Sequence, residues 1–332
     1  MRQQGRTPGS IGYPLKMSGS LDPKPWGGKR LASYGKQLPD EPIGESLESG
    51  SDSLVTNGRF AGRTLGALAV SHPDALLGAR GAAVSGAFRD FPLLVKLIDA
   101  RENLSVQVHP DDALAPAGSR GKTEAWLVLL AEPGSRLIVG IEGALDLASI
   151  EHRIVSKPVT AGDVYFIPAG TVHAIGAGVL LYEAQQASDV TFRLYDWGRQ
   201  RDVHIEEGLR ASRAGQRATR VSPLRLDDAR EMLVACRHFA IERWSVDGRV
   251  TVIPSPESFR VLTVLDGAAS IEEVDVALGD TLVLPADLPA GVIAGAATVI
   301  VAYIPDLDAD VVRPLMAAGH NARSIDLLGV SW

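Results

Sequence analysis

The 332-residue sequence contains one cysteine, Cys236, so it can form neither an intrachain disulfide nor a thiolate metal cluster. It also lacks an uninterrupted apolar stretch of membrane-spanning length, and its N-terminus lacks the basic and then apolar pattern of a signal sequence. With a formal net charge of −7 and no long basic run, the chain offers no general attraction for nucleic acid. We therefore expect a cytoplasmic protein that binds neither membranes nor nucleic acid, and that holds any metal through nitrogen and oxygen ligands.

Charged residues are also few, at 22%, whereas hydrophobic residues make up 45% of the chain. A globular chain of this length is long enough for two domains. Residues 1–24 differ from the rest because they are rich in Gly, Ser, Pro and basic residues without periodicity. This composition predicts a flexible N-terminal tail.

From residue 25 onward, many short strand-like segments are separated by Gly, Pro and Asp turns, which predicts a mainly β protein with a few short helices. One segment is repeated: residues 279–286 match residues 162–169 at Gly, Asp, Pro and Ala. This internal repeat predicts two β-sandwiches or barrels, one over residues 25–215 and one over residues 216–332. Continuing the alignment places Ala290 where His173 stands, so the second unit keeps the scaffold signal but lacks the polar residues described next.

Potential metal ligands lie on strand-like segments of the first unit. Apolar and polar residues alternate from Leu104 to His109, so Gln107 and His109 point to the same side of a strand. Glu124 begins another apolar run, and His173 follows a Pro-Gly corner. Each residue alone has an ordinary structural explanation, such as a turn cap, an ion pair with a neighbouring lysine or a buried histidine. Together, two imidazoles, one carboxylate and one amide oxygen favour a metal site, and they suit zinc and also iron, manganese or cobalt.

Basic residues on strands of the same unit give a second indication. Lys96, Lys122 and Arg193 lie within predicted strands. Cations near a positive metal centre repel it unless an anion joins them, which favours a phosphorylated or carboxylated substrate. Two alternatives remain open: Lys96 on an edge strand that reaches solvent, and compensation of Arg193 by Asp189 or Glu183.

An ordered set of motifs resembles the type I mannose-6-phosphate isomerases, most closely their short bacterial form. The core motifs are Gln-Val-His-Pro-Asp-Asp at 107–112, Gly-Lys-Thr-Glu-Ala-Trp at 121–126 and Pro-Ala-Gly-Thr-Val-His-Ala-Ile at 168–175. The likeness extends through residues 26–28, 43–45, 91–96 and 189–198, and so covers roughly Lys24 to Arg199. The C-terminal part resembles only a degenerate cupin. Leu47 departs from the pattern, because short relatives usually carry Trp at this position on the pocket rim.

The resemblance implies two cupin-like jelly-roll barrels and a zinc-dependent aldose–ketose isomerase. This enzyme would interconvert mannose 6-phosphate and fructose 6-phosphate through a cis-enediol(ate), with one Zn²⁺ per chain, as a monomer or homodimer. The family's metal ligands fall on Gln107, His109, Glu124 and His173. Its catalytic residues fall on Lys122 and Arg193, and its substrate-binding residues on Lys96, Ser105 and Glu183.

Two other functions are compatible with parts of the pattern. A cupin iron oxygenase also uses histidines and a carboxylate, but Gln107 and the three cations Lys96, Lys122 and Arg193 argue against it. A non-catalytic sugar-phosphate-binding cupin would have lost its ligands, whereas the first unit keeps all four.

Overall fold

The computed structural model describes residues 9–143, 149–252 and 255–329, and within these ranges the chain is built mainly from β-strands joined by short helices. The strands are β1 Leu15–Lys16, β2 Ser20–Gly28, β3 Ile43–Ser49, β4 Leu93–Ala100, β5 Val106–Val108, β6 Glu124–Ala131, β7 Arg136–Ile141, β8 Ile154–Pro158, β9 Val164–Ile167, β10 Ala174–Ile175, β11 Val179–Gln186, β12 Phe192–Tyr195, β13 Thr219–Val221, β14 Leu224–Arg225, β15 Arg230–Ala235, β16 Ala240–Val252, β17 Arg260–Ile271, β18 Val274–Ala277, β19 Thr281–Leu284 and β20 Gly291–Tyr303. The α-helices are α1 Leu65–Ser71, α2 Pro73–Ser85, α3 Ile150–Arg153, α4 Ile205–Ala211, α5 Arg313–Ala317 and α6 Ala322–Asp326.

The first half of the chain forms a seven-stranded antiparallel sheet in the order β13-β9-β6-β11-β4-β2-β3. Two smaller sheets, β10-β7-β8 and β12-β5, complete this unit. A bridge between Gln107 and His173 joins the smaller sheets, with backbone N–H groups donated in both directions at 3.0 and 2.9 Å. This bridge brings two of the predicted metal-binding segments side by side.

The second half forms an eight-stranded sheet in the order β1-β19-β17-β20-β16-β15-β14, with β18 paired to β17. One hydrophobic core joins the two large sheets, and it includes Leu97 and Tyr182 of the first together with Val261 and Val301 of the second. Another cluster, around Trp126, lies within the first unit. The mainly β architecture with two sheet systems and few short helices confirms the predicted fold class.

The N-terminal segment corrects one prediction. Residues 9–24, expected to be part of a flexible tail, contain β1 and the start of β2. Leu15 pairs with Val283, and Ile11 and Leu15 are both buried. The carboxylate of Asp287 accepts the backbone N–H of Ile11 at 2.7 Å. A few apolar side chains and a free edge of the second sheet therefore outweigh the Gly- and Pro-rich composition; residues 1–8 of the predicted tail lie outside the described ranges.

Candidate metal centre and substrate cavity

Three of the predicted ligands meet in the interior of the first unit. His109 follows β5, Glu124 is the first residue of β6, and His173 precedes β10. The Glu124 carboxylate lies 3.4 Å from His109 Nε2 through Oε2, and 3.2 Å from His173 Nε2 through Oε1. One potential ligand atom from each residue lies within 4.8 Å of the others, and all three side chains are buried. The geometry thus forms a group of two imidazoles and one carboxylate that could hold a metal ion.

The fourth predicted ligand lies against the same cluster. The terminal amide of Gln107 approaches Nε2 of His109 at 3.5 Å and Nε2 of His173 at 3.4 Å. Rotating this amide by half a turn exchanges its nitrogen and oxygen, so the oxygen can face the same point. All four predicted ligands therefore converge.

Backbone carbonyls orient both imidazoles toward this point. Nδ1 of His109 lies 2.8 Å from the carbonyl oxygen of Val190, and Nδ1 of His173 lies 2.8 Å from that of Thr171. When Nδ1–H donates to a carbonyl, the lone pair on Nε2 is free to bind a metal. Burial, with a further contribution from Lys122, lowers the pKa of His109 to about 3, which keeps this imidazole in the neutral form that a metal ligand requires.

The carboxylate of Glu124 fits a divalent cation. Burial alone would raise its pKa, but Lys122, His109 and His173 outweigh that effect and hold the pKa well below its ordinary value. Among the described residues no group makes a well-directed hydrogen bond to either carboxylate oxygen, although the Lys122 ammonium lies 3.1 Å from Oε2. A buried ionised carboxylate without hydrogen bonds is costly. A bound cation would compensate this charge, and the nitrogen and oxygen donors suit a divalent metal.

Lys122 places a positive group directly next to the cluster. Its Nζ lies 3.1 Å from Glu124 Oε2 and 3.3 Å from His109 Nε2, and the residue is 7% exposed. Lys122 and Glu124 are two residues apart, so they project toward the same side of the chain, as the sequence predicts. The ammonium is therefore placed to exchange protons with a molecule bound beside the cluster.

A cavity of about 520 Å³ opens beside the cluster of His109, Glu124 and His173. The predicted site residues that line it are Lys96, Ser105, Gln107, Lys122, Glu183 and Arg193. Together with the three residues of the buried cluster, the structure therefore brings all nine sequence-predicted site residues to one region. The volume is in the range of small-molecule binding sites.

Two acidic groups of the cavity lie in different environments. Glu183 accepts a hydrogen bond from Trp126 Nε1 at 2.8 Å, and burial followed by the charge of Glu124 raises its pKa to about 7. Glu45 pairs instead with Lys96 at 2.9 Å. Although burial acts against ionisation, Lys96 holds the pKa of Glu45 below its ordinary value. Glu183 can therefore change charge near neutrality, whereas Glu45 stays ionised.

Arg193 lies at the wall of the cavity and has donor capacity to spare. Its Nη1 donates to the carbonyl oxygen of Asp202 at 2.6 Å, but its buried Nε has no hydrogen-bond partner among the described residues. Burial, and then the neighbouring charge of Arg201, lowers the pKa of Arg193. Arg201 is paired with both carboxylate oxygens of Asp196, at 2.7 and 2.6 Å, so Arg193 is the guanidinium with a donor left for an anionic substrate group.

The cavity also contains residues that the sequence does not single out as site residues. They are Asp22, Lys24, Trp26, Glu45, Ile98, Leu104, Trp126, Ile175, Asp189, Thr191 and Arg201. The family-like motifs include two segments of this lining, the Trp-Gly-Gly turn at 26–28 and the Ile-Gly-Glu segment at 43–45. No sequence pattern indicates that Arg201 belongs to the site. Leu47 lines a neighbouring cavity of about 320 Å³ instead.

Comparisons with known proteins agree with this geometry. The family described as "Phosphomannose isomerase type I, catalytic domain" matches residues 15–125. Mannose-6-phosphate isomerase of Streptococcus mutans is 34% identical over 299 residues, covering 82% of this chain and 92% of that protein. Mannose-6-phosphate isomerase ManA of Bacillus subtilis is 29% identical over 307 residues, covering 84% and 95%.

A solved structure of the mannose 6-phosphate isomerase from Bacillus subtilis superposes with a TM-score of 0.78 at 28% identity. The superposition covers 87% of this chain and 99% of the solved one. These findings confirm the resemblance drawn from the motifs. The chain belongs to the type I phosphomannose isomerase family of enzymes.

Proposed function

We propose that this enzyme interconverts mannose 6-phosphate and fructose 6-phosphate, using one Zn²⁺ held by Gln107, His109, Glu124 and His173. The observation that supports this best is the buried Glu124 carboxylate, which has no well-directed hydrogen bond among the described residues and faces two correctly oriented imidazoles at the edge of a cavity with several cations. When bound, zinc supplies Lewis-acid stabilisation of negative charge on the substrate.

The chain's own residues then divide the remaining work. The open-chain sugar loses a proton from the carbon next to its carbonyl and forms a cis-enediol(ate), which is reprotonated at the neighbouring carbon. Lys122 moves protons between the substrate oxygens, and Glu183 is the candidate base because burial raises its pKa to about 7. Arg193 stabilises the developing oxyanion. Lys96 and Ser105, which both line the cavity, orient the phosphate or the hydroxyl groups.

A coupled assay for fructose 6-phosphate formation tests the activity directly. The protein is treated with a chelator and then supplied separately with zinc, cobalt, manganese or iron. We expect turnover of mannose 6-phosphate, its loss with the chelator, and its recovery with zinc. Absence of turnover with every metal, or full turnover in metal-free protein, would contradict the proposal. Oxygen consumption with iron would instead favour the cupin oxygenase, and binding of sugar phosphate without turnover the non-catalytic cupin.

We also propose the compartment, the oligomeric state and the domain division of the chain. The single cysteine supports a cytoplasmic protein, and no described helix is both long and apolar enough to cross a bilayer. We expect a monomer or homodimer, which light scattering during size-exclusion chromatography can distinguish.

We also propose a catalytic unit over residues 25–215 and a degenerate unit over 216–332. Limited proteolysis tests that division. The chain passes from the first large sheet to the second just after Val221, the last residue of β13.

A further inference from the structure

The last residue of β11, Gln186, makes two hydrogen bonds to Thr123, which stands between Lys122 and Glu124. Its side-chain Oε1 accepts the backbone N–H of Thr123 at 2.9 Å. Its own backbone N–H donates to the carbonyl oxygen of Thr123 at 3.2 Å. Gln186 and Thr123 are each 6% exposed. The start of β6 is thus held by a buried side chain that is absent from the substrate cavity.

The other end of the Gln186 amide reaches the loop after β5. Its Nε2 donates to Asp112 Oδ1 at 3.1 Å, and the same oxygen accepts the backbone N–H of Gly121 at 2.9 Å. A Cβ on Gly121 would lie 2.5 Å from the backbone of Asp111 and Asp112, so the two chain segments are in direct contact there. Asp112 and Gln186 therefore hold the backbone on both sides of Lys122.

The same network extends toward His173. Thr123 Oγ1 accepts the backbone N–H of Ala169 at 3.3 Å, on the turn that leads to Thr171. The Thr171 carbonyl oxygen in turn lies 2.8 Å from Nδ1 of His173. One set of buried hydrogen bonds thus links the segment that carries Lys122 and Glu124 to the segment that orients the second imidazole.

The network lies on the far side of β6 from the substrate. Asp112, Thr123, Ala169 and Gln186 line a separate cavity of about 260 Å³, and none of them lines the 520 Å³ cavity. This placement follows from strand alternation, because Thr123 points opposite to its neighbours Lys122 and Glu124. A role in direct contact with the substrate is therefore excluded for these side chains.

We propose that Gln186 and Asp112 are positioning residues, which hold the Lys122 ammonium and the Glu124 carboxylate in working geometry against the two histidines. This inference rests on the proposed function for the role of Lys122, but its consequence for metal binding does not depend on turnover. Supporting residues behind metal ligands are known to set both affinity and activity.

The test compares Gln186→Leu, which removes both side-chain hydrogen bonds, with Asp112→Ala and Asp112→Asn. We expect Gln186→Leu and Asp112→Ala each to lower kcat by roughly 10- to 100-fold and to weaken zinc binding by about 10-fold, with KM changed by no more than about 2-fold. Asp112→Asn keeps an oxygen that can accept from both Gly121 and Gln186, so we expect it to restore near wild-type values. The double variant Gln186→Leu/Asp112→Ala should be little worse than either single variant.

Tyr303→Phe is the matched control, because it also removes one buried hydrogen bond, to Glu242 at 2.7 Å, but in the second sheet. Zinc affinity is measured by competition with a chromophoric chelator, and the ligand field by the absorption of the cobalt-substituted protein. The proposal is overturned if Gln186→Leu only lowers Tm, as Tyr303→Phe does, or if Asp112→Asn is as impaired as Asp112→Ala. Should Gln186→Leu fail to fold, the two Asp112 variants decide the question. If the wild-type protein shows no isomerase activity but zinc affinity still falls in the variants, the proposed function fails and the positioning role stands.

Discussion

The two large sheets share the same local sequence pattern but differ in how their buried acidic groups are used. Both carry the Gly-Asp…Pro-Ala repeat around a four-residue buried strand, β9 in the first and β19 in the second. Both also contain a buried glutamate that accepts a hydrogen bond from a tryptophan: Glu183 from Trp126, and Glu242 from Trp244. The scaffold signal is therefore shared, and it does not distinguish the proposed catalytic unit from the other.

The difference lies in whether the buried acid groups are satisfied. In the second sheet, the carboxylate of Glu242 accepts hydrogen bonds from Trp244 and from Tyr303, both at 2.7 Å. In the first unit, Glu124 faces two imidazoles and the Lys122 ammonium, but none of these contacts within the described residues has the geometry of a hydrogen bond. A satisfied buried carboxylate stabilises a core, whereas an unsatisfied one among nitrogen ligands marks a binding site.

The largest effect is expected when one imidazole is removed from the first unit and compared with the removal of one from the second unit. His109→Ala should abolish metal retention and lower kcat/KM by about 1000-fold or more, because it removes a ligand of the proposed electrophile. His320→Ala is the control, since this half-buried imidazole bonds to the carbonyl oxygen of Arg225 in the second unit and is not among the cavity residues. Steady-state kinetics and metal analysis check both variants. Normal turnover of metal-free His109→Ala would refute the assignment.

The next effect concerns the pH dependence of stability. Glu183 has a pKa of about 7 when folded and an ordinary value of 4.5, so the folded state of the metal-free protein holds a proton that the unfolded chain releases between these pH values. Stability should therefore fall as pH rises through this window. Glu183→Gln removes the effect and should stabilise the metal-free protein above pH 7 by up to about 3 kcal/mol, with little change below about pH 4. Urea unfolding across this range checks the sign, and parallel curves for the variant and the wild type would contradict it.

A smaller loss of stability is expected when one partner of an ion pair is removed. Lys96→Ala leaves the largely buried carboxylate of Glu45 without its partner, and should lower the free energy of unfolding by about 2 kcal/mol. The matched change in the second sheet is Arg243→Ala, whose partner Glu231 is about twice as exposed as Glu45. We expect this change to cost less than about 1 kcal/mol. Equal losses of unfolding free energy in the two variants would show that the difference in burial does not make one ion pair more stabilising than the other.

The smallest effect should come from Tyr303→Phe. Removing its hydrogen bond to Glu242 should lower the free energy of unfolding by about 1 kcal/mol, while kcat and KM stay within experimental error. Thermal unfolding and the coupled assay measure the two quantities. A reduced kcat would show that the second sheet contributes to catalysis, and the contrast between the units would then break.

The parts of the site that sequence analysis found are those encoded by local alternation. Gln107 with His109, at the end of β5, and Lys122 with Glu124, at the start of β6, are each two residues apart, so the pattern alone places each pair on one side. The pattern does not specify how far apart the separate segments lie. That the four ligands converge depends on the Gln107–His173 bridge, a pairing between segments distant in sequence. The resemblance to a family supplied this information, and the coordinates are consistent with it.

The features of the site and the fold that the sequence does not predict depend on tertiary contacts. Arg201 lies in a loop and becomes a cavity residue only because the chain folds back over β5 and β12. Gln186 ends an apolar strand like many other polar residues, and its partner Asp112 is remote in the chain. Leu15 was assigned to a tail because composition is a local property, while the sheet edge that buries it is formed by Leu282 and Val283.

The pairing of β1 with β19 has a consequence for biosynthesis. Leu15 leaves the ribosome long before its strand partner Val283 is made, because about 270 residues separate them in the chain. Until then this apolar segment has no place to dock, and closing so long a loop is slow. The second large sheet therefore gains its edge strand by capturing β1, so an excised fragment from residue 216 onward would leave an open, aggregation-prone edge at β19.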